Sequence, residues 1–418
     1  MPSPAPSLVL IFEQARQVVE EHAASLRPTI KELVELLDAA GQVLAEPVLA
    51  DRNFPPFPRA TRDGYAVRAA DLSTLPTTLQ IVGEIKAGSS PIRLHLESGQ
   101  AAAIMTGAPA PAGADAVVMV EYTSRHAENV KITKAVSIGE NIVPAGAEAK
   151  RGDRLLSPGM RLNHVAIGLA ASAGRTRLLV YSKPRVAVLS TGDELVDVDV
   201  PPSLHQIRNS NTYSLAAQIQ ASGGEPVLLP IAPDEPERLR ELIVDGFDAD
   251  LLLITGGVSM GKYDLVEQVL SELHAEFFFT GAQIQPGRPV VFGRVPWKEE
   301  PSAGERFKYF FGLPGNPVST MVTFDLFARP LLEALSGMAP RKLVWLHARL
   351  KSDIKVKPGL KRFLPAVLGG EFEKTEVELV RWQGSGDIAA TARANCYIVV
   401  PSDHEHIPAG EWVPILLM

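Results

Sequence analysis

The sequence predicts a multidomain α/β protein organised around a doubly wound parallel sheet, and three observations predict it. Residues 251–254 form a continuous apolar run, the pattern of a strand buried on both faces of a parallel sheet, and the run stops at Thr255-Gly256-Gly257. Residues 183–337 alternate strand-like and helix-like segments at the spacing of βαβ units. Segments 79–142 and 339–418 carry short strands separated by turns, the signature of two further β-rich units.

The chain has 418 residues, for which the length prior is about three domains, and its 46% hydrophobic and 21% charged residues suffice for large buried cores. A net charge of −7 argues against a nucleic-acid partner, because phosphate backbones are bound by basic surfaces. The single cysteine, Cys396, excludes an intrachain disulfide and a cysteine-built metal site. The start MPSPAPSLVLIFEQ lacks the basic segment and cleavage site of a signal peptide, and no apolar run approaches the length of a membrane span. A cytoplasmic protein without a membrane partner is expected.

In chain order, residues 8–26 read as an amphipathic helix with Val9, Phe12, Val19 and Ala23 near one face. Residues 29–44 read as a second helix, with Thr29 as cap, Glu32 three residues on, and an apolar stripe of Leu33, Leu36 and Leu37. Three prolines and two phenylalanines between 54 and 58 stiffen an extended segment that meets the turn Arg62-Asp63-Gly64-Tyr65. Arg59, Arg62 and Arg68 flank Asp63; taken alone, a plain surface hairpin is the better account of that turn. Short strands at 79–85, 101–107, 114–121 and 130–133 then describe a small β domain of about 90 residues, with Thr106 at a strand end. Helical patterning returns within 146–173, so the flanks of the inserted domain are expected to pack together as a helical linking domain.

The α/β pattern opens at Lys183-Pro184. Strand 185–189 leads into Ser190-Thr191-Gly192-Asp193-Glu194, helix 212–221 follows, and strand 226–231 leads to Pro233-Asp234-Glu235. Helix 235–244, strand 251–254, a helix from 265 and a strand near 276–279 complete it. Glu194, Asp234 and Asp264 each come just after a strand of one sheet, and in such sheets the carboxyl ends of the strands gather at one edge, where ligands bind. The loop with Gly256, Gly257, Ser259 and Gly261 can turn backbone N–H groups towards an anion. Each carboxylate has a plainer reading: Asp234 and Asp264 as helix caps, Glu194 as a solvated loop residue. Three together beside an anion cradle favour a metal–phosphate site, because a hard divalent cation relieves their repulsion of phosphate. Gln285-Pro286-Gly287-Arg288-Pro289 is a stiff turn presenting one fixed cation. Residues 312–319, GLPGNPVS, open a helix reaching about 334, with Asn316 at the cap and Pro317 at its first position. In the last β unit, Lys361-Arg362 and Gln383-Gly384-Ser385-Gly386-Asp387 are the notable polar loops.

With TRDGYAVRAAD, IMTGAP, STGDEL, ITGGVSMGxxD, QPGRP and LPGNPVS in this order, the chain resembles the molybdopterin molybdenumtransferase family over nearly its whole length. These are the molybdenum-insertion enzymes of molybdenum-cofactor synthesis, and the family includes the C-terminal domain of gephyrin. The resemblance implies a helical linking domain of residues 8–50 and 146–182, an inserted β domain of 51–145, a molybdopterin-binding α/β domain of 183–337 and a C-terminal β domain of 338–418. It implies an elongated homodimer in which the β domain of one subunit closes the α/β cleft of the other. The implied reaction takes adenylylated molybdopterin and molybdate to molybdenum cofactor and AMP, with a divalent metal, usually Mg²⁺. Carried over, Asp63 and Thr106 face the site from the β domain, and Glu194, Asp234 and Asp264 form the acidic metal-holding cluster. Gly256, Gly257, Ser259, Gly287, Arg288, Gly315 and Asn316 lie at the ligand, and Ser385 matches a molybdate-contacting serine. The adenylyltransferase of the preceding step is an implied partner.

Three departures bear on the site. Many members carry lysine where this chain has Gln285, methionine where it has Arg62, and glycine–arginine before the aromatic where it reads Gly359-Leu360-Lys361-Arg362-Phe363. Arg288, Lys361 and Arg362 are therefore the candidates for the oxyanion contact, and Arg62 is expected to lower the Asp63 pKa by pairing. Two other functions share part of the pattern. A molybdopterin adenylyltransferase has the same glycine-rich loop but needs neither β unit, and a non-catalytic pterin-binding scaffold has no need of the three carboxylates.

Overall fold

The computed structural model describes residues 8–28, 30–88, 94–257, 265–297 and 307–418. Helix α1 (Phe12–Ser25) buries Phe12, Ala15, Val19 and Ala23, a stripe at helical spacing. These side chains share an apolar cluster with Val186, Leu253, Phe311 and Phe327, so α1 packs on the α/β layer. Residues 31–44 are not helical. They form the strand Lys31–Glu35, a turn and the strand Val43–Leu44. Leu33 and Leu37 of the expected stripe are 58% and 81% exposed, and only Leu36 packs on a core. A remote partner decides the conformation: Lys31–Glu35 pairs antiparallel with Arg177–Tyr181, with Arg177 Nε donating to Glu35 at 2.6 Å. Helix α2 (His164–Ser172), capped by the Asn163 side chain, packs Ala166 and Ala170 onto Leu44, Leu178 and Val180 of this sheet. The linking segment is thus one helix on a small sheet rather than a helical unit.

The inserted segment forms a six-stranded sheet in the order Thr123–His126, Asn129–Ile132, Thr77–Ile85, Gln100–Ile104, Gly64–Val67 and Ala116–Met119. Alternate residues feed clusters on its two faces, Tyr65 and Val118 on one, Ala66 and Val117 on the other.

The central sheet runs Glu225–Leu228, Arg185–Ser190, Leu251–Thr255, Phe307–Leu313, Val291–Pro296, Glu276–Phe279. The first four strands are parallel, and Val291–Pro296 is antiparallel to both its neighbours. Helix α3 (Ser210–Ala221) covers one face, through Leu215 and Ile219 packed with Val188 and Leu253. Helices α4 (Pro236–Gly246) and α5 (Leu265–Glu272) cover the other, through Leu242, Ile243 and Val269 packed with Leu189 and Ile254. Every residue of Leu251–Thr255 is buried, as a strand covered on both faces must be.

The helix after Phe307–Leu313 is interrupted. It runs as α6 (Pro317–Thr323), widens into a π-turn over Phe324–Ala328, and resumes as α7 (Arg329–Leu335). Pro330 has no N–H for the Leu326 carbonyl and its ring crowds it, which the wider turn accommodates. Arg16 of α1 supplies the missing donor, Nη1 to Leu326 O at 2.6 Å, from a side chain 9% exposed. Arg16→Met keeps the apolar stem and removes the donor. It is expected to cost about 1–3 kcal/mol in urea unfolding, because a buried carbonyl is left unmet.

In the C-terminal unit, Lys361–Glu371, Lys374–Leu379, Leu346–Leu350, Trp412–Leu417 and Cys396–Val400 pair in that order. Cys396–Val400 pairs back onto Lys361–Glu371, closing a barrel filled by Leu350, Ala366, Val377, Ile398 and Val413. Ile284–Gln285 adds to this barrel in register with Lys361 and Arg362, which ties it to the central domain. No helix among the described residues is long and apolar enough to cross a membrane.

A candidate carboxylate and oxyanion site at the carboxyl edge

Ser190, Thr255 and Leu313 end three adjacent parallel strands in register. The loops leaving them are laced by backbone bonds: Thr191 N to Thr255 O at 3.0 Å, Gly192 N to Ala232 O at 3.2 Å, Gly256 N to Leu313 O at 3.3 Å. Gly256 takes φ +88°, and a Cβ there would stand 2.4 Å from Thr191 O, so a side chain has no room at this crossing. A Cβ on Gly315 would lie 3.5 Å from Gly256 Cα, which sets the two glycine turns, including Gly257, against each other.

Side chains complete the frame. Asn209 caps α3 by accepting from Thr212 N at 3.3 Å and also accepts from Ser190 Oγ at 3.1 Å. Asn211 Nδ2 donates to Thr255 Oγ1 at 2.9 Å and to Gly315 O at 2.7 Å, fastening α3 to both turns. Asn211 Oδ1 is buried with no partner among the described residues, an acceptor left open at the edge. The sequence reading started this helix at Thr212 and passed over both asparagines, although Asn209-Ser210-Asn211-Thr212 ahead of a helical pattern is a legible cap signal.

Two of the three expected carboxylates lie at this edge. Asp234 does not cap α4, whose N-cap is Glu235 without a side-chain bond. Instead Asp234 Oδ1 accepts from Thr191 Oγ1 at 3.1 Å, and its backbone N–H donates to Asp193 Oδ1 at 3.1 Å. Glu194 is exposed, with its carbonyl held by Ile207 N at 2.8 Å. Asp264 and Ser259 lie outside the described residues. Among the described residues no group of three or more His, Cys, Asp or Glu is placed to hold a metal ion. Glu194 and Asp234 offer oxygen donors only, which suits a hard cation such as Mg²⁺.

The C-terminal barrel reaches the same edge. Asn316 stands at the N-cap of α6 without capping it; its Nδ2 donates to Ser385 Oγ at 3.0 Å. The Val318 N–H, an orphan donor of the first turn, is taken by Ser385 O at 3.0 Å. Gly287, at φ +100°, packs so closely on Thr323 of α6 that a Cβ would come within 2.4 Å, which lays the QPGRP turn along that helix. Arg288 on this turn is exposed and makes no side-chain bond or ion pair with another described residue. The other two candidate cations are committed. Lys361 Nζ pairs with Glu13 and lies over the Phe12 ring, while Arg362 Nη2 donates to Lys357 O. Strand alternation puts Arg362 on the barrel-core side with Leu364 and Ala366.

Asp63 and Thr106 meet in the inserted sheet, where Asp63 Oδ1 accepts from Thr106 N at 2.6 Å. That bond, with one from the Thr106 side chain, holds the Asp63 carboxyl below the usual carboxylate range. Arg62, expected to do this by pairing, donates to Thr61 O at 3.2 Å instead. Among the described residues no strand pairing joins this sheet to the central one. Among the described residues no hydrogen bond or ion pair links Asp63 or Thr106 to Glu194 or Asp234.

A mostly parallel sheet whose carboxyl edge carries glycine turns, carboxylates and a helix N-terminus belongs to the ligand-binding class of doubly wound domains. Residues 10–174 match the MoeA N-terminal region (domain I and II), 187–334 a probable molybdopterin binding domain, and 347–418 the MoeA C-terminal region (domain IV). The molybdopterin molybdenumtransferase of Nostoc sp. is 36% identical over 396 residues, 92% of this chain and 88% of the relative. That of Haemophilus influenzae is 34% identical over 411 residues, 97% of this chain and 98% of the relative. A crystal structure of a molybdopterin biosynthesis MoeA protein from Pyrococcus horikoshii is similar at TM-score 0.77 and 28% identity, covering 98% of this chain and 100% of that one. The chain belongs to the molybdopterin molybdenumtransferase family and is an enzyme of the transferase class.

Proposed function

We propose that the chain inserts molybdate into adenylylated molybdopterin, releasing AMP and forming molybdenum cofactor, as a cytoplasmic homodimer. The observation that carries this reading is Thr191, whose hydroxyl holds Asp234 and whose carbonyl crosses the Gly256 turn, with the Gly315 turn packed against Gly256 and Glu194 on the same loop. Backbone N–H groups of Gly257 and of the Gly315 turn cradle the phosphates of the substrate, while the Gly256 N–H stays on the Leu313 carbonyl. Glu194, Asp234 and Asp264 are the residues that would hold Mg²⁺, which when bound neutralises charge at the phosphoanhydride. Thr191 orients Asp234, and Asn211 keeps both turns in place. Arg288, Asn316 and Ser385 meet molybdate, a tetrahedral dianion that needs cations and neutral donors.

The dithiolene sulfurs of the substrate bond to molybdenum as their two protons pass to one molybdate oxygen, which leaves as water, and a water molecule adds to phosphorus as the phosphoanhydride breaks and AMP departs. No protein nucleophile is needed. Cys396 is buried in the barrel, and burial pushes its thiol up to about 11. Asp63, kept ionised by Thr106, acts with Thr106 across the dimer, the inserted sheet of one subunit closing the edge of the other. The proposed domain division is 8–50 with 146–182, 51–145, 183–337 and 338–418, and the preceding adenylyltransferase is the proposed supplier of substrate.

Cofactor formation from adenylylated molybdopterin and molybdate, read by activation of a cofactor-free molybdoenzyme, tests the function. Substrate binding without activation rejects it. Arg288→Ala is expected to raise the molybdate concentration for half-maximal rate by about tenfold or more, the scale of a lost charge-assisted hydrogen bond. An equal rise in Lys361→Ala would show that the oxyanion cation was misassigned.

A further inference from the structure

A cavity of about 510 Å³ opens between the C-terminal end of α3, the α6–α7 helix and the barrel segment carrying helix α8 (Ile388–Thr391). Its α3 wall begins at Gln218, seven residues beyond Asn211 and so about 10 Å along the helix from the carboxyl edge. Ala221, Met321 and Ile388 make much of its surface apolar.

The polar groups that reach it include the Arg329 cation and one acceptor left without a donor. Gln218 Oε1 is buried with no hydrogen-bond partner, while Nε2 of the same amide donates to Met321 O at 3.1 Å. Tyr397 is 2% exposed, and its hydroxyl makes no hydrogen bond to a described residue. Asp325 stands 3.9 Å from Arg329, whose Nε is engaged by Glu333 at 3.1 Å. Burial pushes the Asp325 carboxyl up to about 6, so the Arg329 charge and a bond from Gln218 offset its desolvation only in part. An unmet buried acceptor, Gln218 Oε1, and a buried carboxylate beside an apolar space of this size are the features of a small-molecule pocket.

We propose that this cavity is a second ligand site, for a small apolar molecule with a cationic N–H-donating head, an amidine or amine, seated between Asp325, Gln218 Oε1 and the Tyr397 hydroxyl. Such a head gives Gln218 Oε1 the donor it is missing, and the apolar body covers Met321 and Ile388. The site also touches the machinery of the carboxyl edge. Helix α8 is capped by Asp387, whose Oδ1 accepts from Ala390 N at 2.9 Å, two residues after Ser385. Met321 belongs to α6, which begins beside the Asn316–Ser385 bond. A ligand wedged between α6 and α8 therefore bears on the position of Ser385.

Calorimetric titration of the full chain with benzamidine, benzamide and benzoate tests the proposal without any turnover assay, so its outcome is separate from that of the proposed reaction. Benzamidine is expected to bind at least about tenfold more tightly than benzoate, and Asp325→Asn to remove about tenfold of that affinity, as for a charge-assisted hydrogen bond. Tyr397→Phe should weaken benzamidine several-fold, and it serves as the independent variant if Asp325→Asn does not fold. Absence of benzamidine binding, equal affinity for benzoate, or unchanged affinity in the folded variants would overturn the assignment.

Discussion

Asp234→Ala and Glu194→Ala are each expected to lower AMP release by at least about 10²-fold, the scale on which preorganised charge-stabilising groups act. Both side chains are exposed, so neither substitution opens a core cavity, and thermal unfolding should stay where it is. Asp234→Ala also strands the Thr191 hydroxyl, which water can reach once the carboxylate is gone. Asp193→Ala is the internal comparison. Its carboxylate accepts from the Asp234 backbone N–H and so positions the loop, and its loss should be milder than that of Asp234. Unchanged AMP release in both Asp234→Ala and Glu194→Ala would remove the acidic site from the mechanism.

The second large effect concerns the dimer. No strand pairing among the described residues joins the sheet of Asp63 and Thr106 to that of Glu194 and Asp234, and the proposed active site takes one pair from each of two chains. Asp63→Asn and Asp234→Ala should each be inactive alone. Mixed after dissociation and reassociation, they should recover about a quarter of the wild-type rate, because half the dimers are mixed and each of those carries one intact site of two. A site contained in a single chain predicts no recovery at all. With an affinity tag on one variant only, co-purification of the untagged variant from the same mixture establishes whether subunits exchanged, so a negative result remains interpretable.

What the sequence makes legible follows from how local the determining physics is. Leu251–Thr255 announces itself because a strand covered on both faces must be apolar throughout, and the glycine after it because a Cβ collides with Thr191 O. Residues 31–44 mislead because their leucines repeat at helical spacing, while the strand is imposed by Arg177–Tyr181, far along the chain. Asp234 has the composition of a cap, yet its partner is a hydroxyl at the end of another strand. The Asn316–Ser385 bond spans 69 residues and two domains; family resemblance flags each residue, and only the fold shows that they touch. That Lys361 and Arg362 are engaged elsewhere follows from the position of Glu13 and from strand alternation, neither of which the motif order contains.

The most direct test of the central claim is AMP release from adenylylated molybdopterin by the purified protein, measured with and without molybdate and with and without Mg²⁺. Molybdate insertion at an acidic metal site predicts release only when both are present, with loss of release in Asp234→Ala. Tight binding of the pterin with no release under any of the four conditions, or release indifferent to molybdate, would contradict it.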